Sequence, residues 1–259
     1  MFNLSMVYLF FLLFVRMTAF FVTAPIYSSR GVPTQFKIGL GFFTSLVILP
    51  TIGDEIPNLS IGSMFLVLIL QETLFGLLLG WIAQLLITSI QIAGSFIDMQ
   101  IGFAIANVID PQTGFSSPLM GNFKYMFAML LFLTLNGHHL LIDSIVSSYQ
   151  LLPISGSWLT RLNDESLLFF VVNTFTQMFV IALKIAAPIV GTLFLSDVAL
   201  GIVARTVPQL NVFVVGLPLK IIIHFLILFI LVPGFIYLFQ DLFQEMFTSM
   251  RQLMDIMGS

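Results

Sequence analysis

Cysteine is absent from this chain. Disulfides, thiolate nucleophiles and Cys-ligated metal centres are therefore excluded, and the redox compartment is left open. Charge is nearly as scarce. Only 8% of the 259 residues are Asp, Glu, Lys or Arg, where a soluble domain keeps about 25% because its surface must face water. The net charge is −3 with no basic or acidic run, so the electrostatic footprint of a nucleic-acid binder is missing. No Walker loop, GxSxG or HExxH occurs. These absences argue against an enzyme, and no catalytic residue, cofactor or metal is expected.

Hydrocarbon takes the place of charge. The chain is 59% hydrophobic with 29 phenylalanines and 13 methionines, and its mean hydropathy is +1.09. An integral membrane protein follows. A helical crossing needs about 20 apolar residues, and such runs lie near 4–24, 64–90, 123–142, 167–196 and 212–239, with a shorter sixth near 36–52. The first run has no preceding Lys or Arg and holds Arg16 inside it, so it reads as a retained helix rather than a cleaved signal. The fold class expected is all-α, with about six hydrophobic helical segments. From Asp241 onward, Leu242, Phe243, Met246, Phe247, Met250, Leu253 and Met254 recur at helical spacing. This amphipathic tail is expected to pack on an assembly or lie at an interface. Basic loop residues divide four (Arg30, Lys37, Lys124, Arg205) against two (Arg161, Arg251), which would place both termini outside. One extra crossing at 91–110 would move the C-terminus to the other face, so this margin does not fix topology.

Two stretches interrupt the apolar pattern. ARTVPQLNVFVVGLPLK carries Arg205, Pro208, Gln209, Asn211, Gly216, Pro218 and Lys220 between two spans. The second, within 91–122, carries Asp98, Gln100, Asn107 and Asp110 together with glycines and prolines. Both read as irregular backbone, which survives at membrane depth only when buried in protein or lining water. They share a loose order. Asp98, Gly102, Pro111-Gln112 and Lys124 run parallel to Asp197, Gly201, Pro208-Gln209 and Lys220. Chance in a biased composition and a duplicated hairpin both fit.

Arg16, Glu72, Lys184 and Lys220 fall inside apolar runs. A charge at helix centre costs about 2.5–3.5 kcal/mol on insertion scales. Lys220 and Glu72 lie near boundaries, where snorkelling or pairing would serve. Arg16 and Lys184 lie nearer mid-helix and call for a buried acid such as Asp98 or Asp197. His138 and His139 beside Asp143 make a poor metal site, because adjacent helical side chains diverge by about 100°. They read as a polar cluster at the local break Asn136-Gly137. Gly76-x-x-x-Gly80 signals close helix approach.

The blocks GSFIDMQIGFAIANVIDPQTG, LNGHHLLI, DVALGIVARTVPQLNVFVVGLPLK and RMTAFFVTAPIYSSRGVPTQFKIGLG, in that family's order and over nearly the whole chain, resemble the FliR family of flagellar biosynthetic proteins. The export-apparatus "T" subunit of type III secretion injectisomes shares that family. The resemblance implies one domain over 1–259 built of kinked helical hairpins, with 240–259 as its amphipathic helix. It also implies a core subunit of the type III export gate in the bacterial inner membrane, at the flagellar basal body. FliP and FliQ would complete a helical closed-pore complex, FlhB would wrap its base and FlhA would lie below. Unfolded flagellar proteins would be the cargo. Carried onto this sequence, Asn107, Asp110, Pro111, Gln112, Gly114 and Phe115 would belong to a pore plug or constriction. The block from Arg205 to Lys220 would serve subunit packing and gating. An injectisome subunit and a secondary transporter are the alternatives.

Overall fold

The computed structural model of the protein describes residues 4–29, 31–52, 63–103, 118–154, 158, 165–207, 209 and 211–258. Among the described residues regular structure is helical, with no strand. The helices are α1 (Leu4–Thr23), α2 (Thr34–Ile52), α3 (Ser63–Ile101), α4 (Leu119–Thr134), α5 (Gly137–Leu151), α6 (Glu165–Thr206) and α7 (Val212–Gly258). Five are long and apolar enough to cross a membrane, or six if α4 and α5 form one broken span. About six hydrophobic segments were expected.

Sequence and structure part company at the breaks. The predicted span 123–142 is interrupted at Asn136, whose φ of 57° lies in the left-handed region that asparagine tolerates. The irregularity expected from residue 91 is not there: α3 continues as helix to Ile101 and closes at Gly102, whose φ is 104°. The second interruption is likewise shorter than the breakers imply. Gly216, Pro218 and Lys220 are all helical in α7. Both α6 and α7, at 42 and 47 residues, are about twice the length a bilayer crossing requires.

Asn211 explains where α7 begins. Its Oδ1 accepts the backbone N–H groups of Phe213 and Val214 at 3.1 and 3.4 Å, and its carbonyl accepts those of Val214 and Val215. Asn211→Ala should therefore cost about 1 kcal/mol, read as a shift in the denaturation midpoint in detergent. Asn211→Asp should restore most of it, and a silent alanine variant would reject the cap.

The chain divides into two compact units, and the division falls inside α3, α6 and α7. Unit 1 comprises Met1–Leu86, Leu135–Phe175 and Gln244–Ser259. Its core holds Leu9, Leu12, Phe20, Phe75, Leu79 and Ile145, all buried. The C-terminal turns belong here. Met246, Met250, Leu253 and Met257 are buried while Arg251 and Asp255 are exposed, so the apolar stripe of the tail is packed within the chain's own unit. Unit 2 comprises Ile87–Thr134 and Thr176–Phe243. Ala93, Ile97, Phe132, Ile185, Ile189 and Phe239 form its core.

Candidate functional site

Arg16 is the largest fully buried side chain of unit 1. Its Nε donates to Glu72 Oε2 and its Nη2 to Glu72 Oε1 at 2.9 Å, the forked geometry that suits guanidinium to carboxylate. Nη1 donates to Ser148 Oγ at 3.1 Å, and Nη2 also donates to the Leu152 carbonyl at 3.2 Å. The guanidinium carbon lies 4.1 Å from the ring centre of Tyr149 and 4.8 Å from that of Phe75, so aromatic faces take the rest of its surface. Sequence reasoning placed Arg16 against Asp98 or Asp197; its partner is Glu72. The missed signal was local. Glu72, Gly76 and Gly80 share one face of α3 at four-residue spacing, and both glycines meet α1. A Cβ at Gly76 would strike the Arg16 carbonyl oxygen, and one at Gly80 would lie 2.8 Å from the Phe20 carbonyl oxygen. The close approach read from the glycine motif brings α1 within reach of the acid. With both charges sealed from solvent, the cluster clamps α1, α3 and α5 and offers no surface to a solute.

Unit 2 carries the second set. Both carboxylate oxygens of Asp98 accept the Met120 backbone N–H at 3.2 Å, so an acid of α3 caps the first turn of α4. The Asp98 carbonyl also accepts the N–H groups of Gly102 and Phe103. Gly94 and Gly121 bring the two backbones into direct contact. Asp98 therefore joins the two stems that flank 104–117. The expected plug residues Asn107, Asp110, Pro111, Gln112, Gly114 and Phe115 lie outside the described residues.

Farther along, Lys220 Nζ meets Asp197 Oδ1 at 2.5 Å and donates to the Gln100 carbonyl at 3.2 Å. Gln100 Nε2 donates to Asp197 Oδ2 at 2.9 Å. This triad ties the ends of α3, α6 and α7 together. It is partly solvated, so its worth is geometric more than energetic. Lys220 is thus paired, where snorkelling was the alternative. Lys184 departs from expectation altogether: it is exposed on α6, because the buried face of that helix runs through Ala182, Ile185, Ala186 and Ile189.

In the breaker block, Arg205 and Gln209 are exposed, Gly216 is buried with Leu200 Cδ1 3.2 Å from where its Cβ would stand, and Pro218 is exposed. Pro208 lies outside the described residues. Around them Phe213, Val214, Leu195 and Ile202 are all more than 60% exposed, a broad apolar surface for lipid or neighbouring subunits. Among the described residues no three His, Asp or Glu side chains gather as metal ligands. The rings of His138 and His139 sit 4.1 Å apart.

Comparison with known proteins closes the question of kinship. The family model for bacterial export proteins, family 1, matches residues 7–246. The flagellar biosynthetic protein FliR of Bacillus subtilis (strain 168) is 47% identical over 249 residues, covering 96% of this chain and 95% of that protein. FliR of Escherichia coli (strain K12) is 32% identical over 251 residues, covering 96% and 94%. FliR of Aquifex aeolicus (strain VF5) is 32% identical over 234 residues, covering 90% and 89%. The chain belongs to the bacterial export proteins, family 1, together with the FliR proteins of these bacteria.

Proposed function

We propose that the chain is a core pore-forming subunit of the flagellar type III protein export gate, resident in the bacterial inner membrane at the basal body. The observation that carries this reading is similarity along almost the full length to proteins named for flagellar biosynthesis. Those relatives also favour a flagellar gate over an injectisome. In this reading the subunit is a structural component and not an enzyme. FliP and FliQ build the pore with it, FlhB and FlhA adjoin it, and unfolded flagellar proteins are the cargo. The exposed apolar and breaker-flanked surface of α6 and α7 meets those subunits. The segment from Asn107 to Gly121 contributes to the plug, and Asp98 fixes the spacing of its stems. With no nucleotide-binding motif in the chain, the conduit is passive and draws its driving energy from other components.

Affinity purification in mild detergent followed by mass measurement tests the reading. Co-elution with FliP and FliQ is expected. A stable monomer that binds or moves a small solute by itself would refute it. A second arm addresses the plug: shortening 107–121 should raise ion leak through a complex that still assembles, and unchanged conductance would count against plugging.

A further inference from the structure

Lys184 is a charge that the fold leaves unanswered. Arg16 is matched by Glu72, and Lys220 by Asp197. Among the described residues no hydrogen bond or ion pair reaches the Lys184 ammonium, which stands exposed on α6. The next charged residues along that helix are Glu165 and Asp197, about 28 Å and about 20 Å away at 1.5 Å per residue. A four-carbon stem spans neither distance. The backbone adds a second unmet group at the same place. Pro188 lies inside α6 and has no N–H, so the Lys184 carbonyl, four residues earlier, lacks its ordinary helical donor.

The surroundings are apolar and low. Val180, Lys184, Ala187, Pro188, Gly191 and Leu195 share one face by helical spacing, and all six are exposed. A Cβ at Gly191 would meet nothing within 4 Å. Beyond the lysine the face is thus lined by Ala187, Pro188 and Gly191, side chains small enough for another backbone to come close. Lipid tails against this face would leave the ammonium without an acceptor. A wholly apolar protein surface would do the same after stripping it of water. Only a covering that brings its own anion to the level of Lys184 is complementary in charge.

We propose that an Asp or Glu on a membrane helix of a neighbouring gate subunit pairs with Lys184, and that this helix packs along Ala187, Pro188 and Gly191. The inference rests on the reading that the α6 surface meets other subunits, and it specifies the chemistry of that contact. The neighbour is a different protein: two copies of this chain meeting two-fold through the same face would set lysine against lysine.

The test uses the assembled complex in its own membrane, treated with a membrane-permeant carbodiimide, which joins an amine to a carboxylate in direct contact. A cross-link from Lys184 to an Asp or Glu of another subunit, mapped by mass spectrometry, is expected. Lys184→Met should lower the ratio of assembled to free chain about thirtyfold, the usual effect of truncating one side of a buried charge pair. Lys184→Glu sets acid against acid and should lower it further. Exchanging the cross-linked acid for lysine in the neighbour should then restore assembly of Lys184→Glu. The denaturation midpoint of the purified chain should not move in either variant, because Lys184 is exposed and unpaired in its own fold. Assembly of Lys184→Glu at the parent level, which would put the lysine in conduit water or among lipid headgroups, would overturn the inference and leave the gate reading standing. A cross-link confined to this chain or to a second copy of it would do likewise. A parent chain that gathers no other subunit would overturn both.

Discussion

Glu72→Ala should destabilise the protein by about 3–5 kcal/mol, the cost of leaving a buried charge without its partner. Of the five N–H donors of Arg16, four are engaged, and two of those four point at Glu72. Removing the carboxylate strands both between Phe75 and Tyr149, where no water reaches. A guanidinium cannot shed its charge, whereas a carboxylic acid can do so by binding a proton. Arg16→Met should accordingly cost less than Glu72→Ala. The double variant Arg16→Met/Glu72→Leu should recover most of the loss, because a packed apolar pair is often as stable as the ion pair it replaces. Denaturation midpoints of the purified chain in detergent compare the three variants with the parent. A Glu72→Ala cost below about 1 kcal/mol would mean that the pair is no more than a surface salt bridge in effect.

This pair also marks where the sequence stopped being readable. The apolar runs announce themselves because a bilayer admits little else, and Gly76-Gly80 announces close helix approach because only glycine permits it. Which acid meets Arg16 depends on how helices 56 residues apart in sequence cross; the Glu72-Gly76-Gly80 spacing marks the face of α3 that is approached, but not that α1 is the helix approaching it. The polar residues of 91–101 misled for a related reason. Asp98 and Gln100 look like loop residues in isolation. In the fold Asp98 serves the first turn of α4 and Gln100 serves Asp197 and Lys220, so α3 has no need to break. Pro218 likewise did not end α7; the cap at Asn211 had already set its start. Lys184 was misplaced because its neighbours are apolar on every side of the helix, so hydropathy could not tell the buried face from the exposed one.

Glycine substitutions separate the two roles that one residue type plays here. Gly94 and Gly191 both lie inside helices, where alanine is ordinarily better by about 0.5–1 kcal/mol because glycine surrenders more backbone freedom. At Gly191 a Cβ would meet nothing within 4 Å, so Gly191→Ala should stabilise by that amount. At Gly94 the same carbon would overlap the backbone N and Cα of Gly121 and lie 3.1 Å from the Met120 carbonyl carbon. Backbone cannot rotate aside as a side chain does, so α3 and α4 must separate. That movement also withdraws Asp98 from the Met120 N–H it caps, and the loss of a cap adds about 1 kcal/mol to an overpacking cost of about 1–3 kcal/mol. Less the helix gain of about 0.5–1 kcal/mol, Gly94→Ala should therefore destabilise by about 1–3.5 kcal/mol, and Gly94→Leu should prevent recovery of folded protein from detergent extracts. Midpoints of opposite sign for Gly94→Ala and Gly191→Ala are the expected result. If both variants stabilised, α3 and α4 would not touch through Gly94 and Gly121, and Asp98 would have no fixed partner on which to hold the two stems together.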